Sequence, residues 1–71
     1  MPRKRSFSKY IRDARIALGK SRRELADQIG VTYASIGFWE TDWCRPTEKH
    51  LRALCKALKL SIPEAQELAY A

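Results

Sequence analysis

The side chains in this chain most able to do chemistry are its cations. Fourteen lysines and arginines stand against eight acidic residues and one histidine, a formal net charge of +6 over 71 residues. Arg3, Lys4, Arg5, Lys9, Arg12, Arg15, Lys20, Arg22 and Arg23 all precede Glu24, with Asp13 the sole acid among them. The remainder carries five basic and seven acidic residues. Guanidinium and ammonium groups gathered at one end favour a polyanion as partner, and DNA, RNA and an acidic membrane surface all meet that description. A membrane reading needs a basic amphipathic helix or a long apolar run, and the apolar stretches here are only a few residues long. A membrane surface is therefore not the expected partner.

Other chemistries find too few groups. His50 is the one histidine, and no base or nucleophile is spaced around it, so no enzymatic activity is expected. Cys44 and Cys55 fall in different elements with only His50 as a further soft ligand, short of the four ligands, or three plus water, that zinc requires. Neither metal nor cofactor is expected. Cys55 recurs with Leu51, Leu54 and Leu58 at helical spacing and reads as a small core residue. The opening Met1-Pro2-Arg3-Lys4-Arg5 has no apolar stretch behind it, so it is no secretory signal, and the expected location is the cytoplasm.

The element that organises these groups is the stretch from Ser21 to Glu40. Ser21 followed by Glu24 forms a capping box and Thr32 an N-cap, because a side-chain oxygen at those places accepts from otherwise unpaired first-turn N–H groups. Gly30 sits between them, where a helix commonly ends in the left-handed conformation. Leu25 with Ile29, and Ile36 with Trp39, give each short helix one apolar stripe, with Val31 between and Ala26 small at the crossing. Such an order describes a helix-turn-helix whose second helix projects outward.

Flanking elements follow by the same rules. Residues 1–7 are expected to form a basic arm, either a solvated tail or a segment reaching the minor groove or the phosphates through Arg3, Lys4 and Arg5. Residues 8–71 are expected to form one all-α domain of five helices. The first runs from about Ser8, capped by Ser6 or Ser8, to Leu18, with Ile11, Ala14 or Arg15, and Leu18 on its stripe and Phe7 and Tyr10 covering the core. Thr41 to Pro46 is a loop. Thr47 caps the fourth helix through Leu58, and Ser61 with Glu64 forms a box opening the fifth, which runs to about Tyr70.

These residues together resemble the helix-turn-helix proteins of the phage lambda and 434 repressor and Cro type, an XRE-like pattern running from Ile11 to Leu68. The resemblance rests on Arg15 with Leu18-Gly19, on Ser21, Leu25-Ala26 and Gly30-Val31, on Ile36 with Trp39-Glu40, on Pro46-Thr47, and on Leu51 through Leu58. It implies a compact five-helix fold that binds double-stranded DNA with the third helix in the major groove. By position it implies base reading at Tyr33, Ala34 and Phe38, with Ser35 and Gly37 close by. It implies phosphate contacts at Ser21, Arg22, Thr41 and Arg45, and Arg23, Thr32, Lys9 and Arg12 join them as candidates. Arg15 and Glu40 match a largely buried structural ion pair. The chain departs from the family at Arg22, where Gln is usual, at Lys20, where an apolar residue is usual, and at Asp42, where Gly is usual.

Tyr33, Ala34, Ser35 and Phe38 suggest a readout weighted toward thymine methyl groups, with hydroxyls supplying hydrogen bonds. Trp39, one turn after Ile36, reads as core, and Phe38 as outer face. Gly37 permits either close approach to DNA or a crowded helix contact, and Trp43 is either a surface contact or a lid on the core. Ile62, Leu68 and Tyr70 on the last helix are the expected homodimer contacts for a palindromic operator. The expected function is a sequence-specific transcriptional regulator acting as a repressor. The alternative is an antitoxin-type module that uses the same fold to bind a protein partner.

Overall fold

The computed structural model describes residues 6–70, so the arm cations Arg3, Lys4 and Arg5 lie outside the described residues. Five helices follow one another: α1 Phe7–Ala17, α2 Arg22–Ile29, α3 Tyr33–Glu40, α4 Glu48–Leu58 and α5 Ile62–Tyr70. No strand occurs among the described residues. Among the described residues, no helix is long and apolar enough to cross a membrane.

Capping sets the helix starts. Ser6 Oγ accepts from the Lys9 N–H at 3.2 Å, which makes Phe7 the first residue of α1. The box at α2 closes in both directions: the Glu24 N–H donates to Ser21 Oγ at 3.0 Å and the Ser21 N–H to Glu24 Oε1 at 2.8 Å. Donation from the Ser21 backbone N–H, with the Ser21 side chain adding to it, holds the Glu24 carboxyl below the usual carboxylate range. Thr32 Oγ1 accepts from the Ser35 N–H at 3.1 Å and starts α3. Thr47 stands at the start of α4 without a side-chain cap bond, contrary to expectation. Glu64 likewise does not act as expected, because its Oε1 accepts from the Tyr10 hydroxyl at 3.0 Å and ties α5 to α1.

Left-handed residues set several of the ends. Gly30, at φ 78°, ends α2, and its N–H and that of Val31 both donate to the Ala26 carbonyl. The reversal brings α3 against α2 within three residues. Asp42 and Lys59 adopt the same conformation at φ 68° and 58°, which costs a residue with a Cβ about 1 kcal/mol. At Asp42 a short polar side chain takes the place that the family gives to glycine, and its carboxylate pairs with Arg45.

Phe7, Ile11, Leu25, Ile36, Leu51, Leu54 and Cys55 make the closed centre of the core, ringed by Tyr10, Ala26, Trp39, Leu58 and Ala65. The Trp39 ring is in the core, as expected, with the His50 ring beside it at a centroid distance of 5.8 Å. Leu18 is not. It follows the last residue of α1, its backbone departs from helical geometry, and its side chain turns out to 40% exposure instead of continuing the stripe.

Burial pushes the ionisation of Tyr10, Tyr70 and the Cys55 thiol upward, and at Tyr10 the bond to Glu64 adds to the effect against an opposing bond from the Ser61 backbone. In the unfolded chain these groups ionise near their ordinary values of 10.0 and 9.0. The folded state therefore retains protons that the unfolded chain releases, and stability is present below that range and declines as pH rises through it. Urea unfolding from pH 7 to 11 should show midpoints falling above about pH 9. Tyr10→Phe should flatten part of that fall while costing about 1 kcal/mol at pH 7 for the lost hydrogen bond.

Candidate nucleic-acid interface

At 100° per residue, Ile36, Trp39 and Glu40 share one side of α3, and all three are buried. Ala34, Phe38 and Thr41 lie on the opposite side, and Tyr33 stands at the N-terminal end; all four are exposed. The core thus takes one face of α3 and leaves the other uncovered. Of the expected base-reading residues, Tyr33, Ala34 and Phe38 belong to that outer face. Ser35 does not: it is half-buried, and its hydroxyl lies 2.9 Å from Thr32 Oγ1 within the helix cap. Thr32 is exposed, and its hydroxyl belongs to the same cap.

Glu40, the last residue of α3, determines which way that helix is rotated. Its carboxylate is fully buried and accepts from Arg15 through a side-on pair, Nε to Oε2 at 2.6 Å and Nη2 to Oε1 at 3.1 Å. Arg15 Nη1 donates to the Lys20 carbonyl at 2.8 Å, so this guanidinium is committed to the structure along all three nitrogens. The expected pair is present. It has a third member that sequence reasoning missed: Arg22 Nε donates to Glu40 Oε1 at 3.1 Å. The signal was present in the residue type, since an arginine in place of the family's usual glutamine faces a carboxylate with a lone pair to spare.

Arg22 uses only Nε in this contact. Its two Nη groups have no partner among the described residues, and no unpartnered side-chain nitrogen there is buried, so both reach solvent. Glu40 thereby holds the inner edge of the guanidinium and leaves the outer fork free, the geometry that suits bidentate phosphate binding. The fork runs along α3, because a Cβ at Gly37 would stand 3.6 Å from Arg22 Nη1. That is ordinary contact with the end of a flexible chain, so Gly37 is not explained by crowding against a neighbouring helix. Arg23 continues the cationic edge with its guanidinium over the Tyr33 ring, 5.9 Å from the centroid.

Arg45 makes contacts within the fold that its place in the sequence does not announce. It pairs with Asp42, donates from Nε to the Ala69 carbonyl at 3.1 Å, and sits over the Phe7 ring at 5.7 Å. Its cation meets the C-terminal end of α5, where the helix dipole favours positive charge. These contacts fasten the loop after α3 while the residue stays exposed. Lys20 is similarly engaged, its ammonium donating to Gln28 Oε1 and lying 3.4 Å from the Ala57 carbonyl, which explains how a cation occupies a usually apolar place. Thr41 Oγ1 donates to the Gly37 carbonyl at 2.8 Å. Lys9 and Arg12 are exposed on α1, and Ser21 is exposed at the start of α2.

The expected self-association residues fare unevenly. Ile62 and Leu68 are half-buried against the core of their own chain. Tyr70 keeps half its ring exposed while its hydroxyl donates to the Pro46 carbonyl at 2.8 Å. Much of the apolar excess on α5 is thus consumed within the domain. No cluster of His, Cys, Asp and Glu able to hold a metal occurs among the described residues.

The two arginines on Glu40 should separate in unfolding experiments. Arg15→Ala leaves a buried carboxylate without its main partner and should cost about 3 kcal/mol or more, whereas Arg22→Ala removes a contact that is one-third exposed and should cost about 1 kcal/mol or less. Gly37→Ala should raise stability by up to about 1 kcal/mol, through helix propensity at a position with room for a methyl group. Urea midpoints at pH 7 measure all three.

Residues 11–64 match the helix-turn-helix family. No curated protein matches the chain significantly. With the match spanning most of the sequence, and α2, Gly30 and α3 disposed as described, the chain belongs to the XRE-like, Cro-type helix-turn-helix family of DNA-binding transcription regulators.

Proposed function

We propose that this protein is a sequence-specific repressor that lays α3 in the major groove of an operator and blocks polymerase by occupying a promoter. The observation that carries the reading is the rotation of α3: Ile36, Trp39 and Glu40 are consumed by the core, while Tyr33, Ala34 and Phe38 remain outward beside the free fork of Arg22. In this reading Ala34 and Phe38 meet thymine methyl groups, and Tyr33 supplies a hydroxyl to a base edge. Arg22, Arg23, Ser21 and Thr41 hold the flanking phosphates, with Arg3, Lys4 and Arg5 adding charge from the arm. Gly37, with open space where a side chain would stand apart from Arg22, lets the backbone come near the duplex.

Dimeric binding to a palindrome through α5 belongs to the same proposal, with Tyr70 as its exposed aromatic contact and Ile62 and Leu68 contributing their uncovered edges. The protein-partner alternative draws support from Ile16 and Leu18, 58% and 40% exposed at the C-terminal end of α1.

Selection from a randomised duplex pool at physiological salt tests the proposal. A palindromic motif supports a dimeric regulator and an asymmetric motif a monomeric one, while the absence of any motif overturns sequence-specific binding. On the selected duplex, log affinity should fall with log salt by roughly 0.9 per phosphate neutralised, and Arg22→Ala should reduce that slope by about one. An unchanged slope would remove Arg22 from the phosphate contacts.

A further inference from the structure

The loop after α3 carries a ring that the reading above does not use. Trp43 is 78% exposed, the most exposed of the large apolar side chains among the described residues, so it is no lid on the core. It is nevertheless held in place. Its indole stacks on the Phe38 ring with centroids 5.5 Å apart and planes inclined at 28°. Its backbone N–H donates to the Phe38 carbonyl at 3.0 Å, across the left-handed turn at Asp42. Asp42 is in turn fixed by Arg45, whose Nε is anchored on the Ala69 carbonyl of α5. A large apolar ring has thus been fixed against the outer face of α3 with hardly any burial in return.

We propose that Trp43 is a DNA-binding residue, its indole extending the Phe38 face so that the two rings together enclose a thymine methyl group and the adjoining deoxyribose. This rests on the major-groove reading of α3 and adds to it a loop residue outside the recognition helix. Two features favour duplex DNA over an apolar protein surface as the occupant. The residue before Phe38 is Gly37, along which the solvent-facing fork of Arg22 lies, so a cation stands one helix residue from the ring on which Trp43 stacks. The indole also carries one N–H donor and no acceptor, which matches a phosphate oxygen once the ring lies on the sugar. A preformed stack loses little conformational freedom on binding, since both rings are already oriented.

The experiment uses the full chain and the duplex obtained by selection, in the thymine form and with each thymine of the motif replaced in turn by uracil, which deletes only the methyl group. For the wild type, one replacement should weaken binding about fourfold, the effect of one buried methyl. Trp43→Ala should unfold at the wild-type urea concentration, bind the thymine duplex about tenfold more weakly, and lose the distinction between thymine and uracil at that place. Trp43→Phe, which keeps a ring and deletes the N–H, should retain most of the methyl discrimination. Wild-type affinity and discrimination in Trp43→Ala would overturn the proposal and leave the aromatic pair as a surface for a protein partner, with the role of α3 intact. Failure of the wild type to select any duplex would overturn the parent reading, and this one with it.

Discussion

A single buried carboxylate governs how this domain presents itself. Glu40 closes α3 and accepts from Arg15 on α1 and from Arg22 at the start of α2, so one residue fixes the relative rotation of three helices. Taking such a charge out of water costs several kcal/mol, and its pairing offsets that cost without a large surplus. Its contribution lies in direction. With two cations on one anion, the cluster keeps a positive charge in excess, and that excess is placed on the more exposed partner. The inner guanidinium is committed to the fold and the outer one is half-committed, which positions a cation at the surface with less side-chain entropy left to lose on binding.

The remaining architecture serves the orientation of a helix too short to be stable alone. The closed capping box on Ser21, the left-handed Gly30 and the cap on Thr32 define the crossing of α2 and α3, and burial of Leu25, Ala26 and Ile36 holds it. At the other end, the loop from Thr41 to Pro46 is fastened to α5 by Arg45 on Ala69 and by Tyr70 on Pro46. Both ends of α3 are therefore referenced to the core, while its outer face touches little.

That outer face is more apolar and aromatic than cationic. Tyr33, Ala34, Phe38 and Trp43 supply ring and methyl surface, and the charge sits along the edge in Arg22 and Arg23. Apolar surface distinguishes the thymine methyl from the other groups in the major groove, whereas charge holds the backbone without regard to sequence. In the proposed mode of binding, these two tasks fall to adjacent strips of the same small domain.

The sequence by itself determined the elements: five helices, the turn at Gly30, the caps at Ser21 and Thr32, the core positions of Ile36 and Trp39, and the Arg15–Glu40 pair, because periodicity and capping are local and the pair follows from the family pattern. Local rules failed where a nearby partner competed with a distant one. Glu64 had Ser61 within reach and joined Tyr10 instead; Leu18 had core spacing but lay beyond the last helical residue. Only the tertiary structure decided that Arg22 shares Glu40 and that Trp43 rests on Phe38, since both depend on where chain segments meet across a turn or a helix crossing. Spacing along a chain reports which face a residue occupies, and it is silent on which of several compatible partners stands opposite that face.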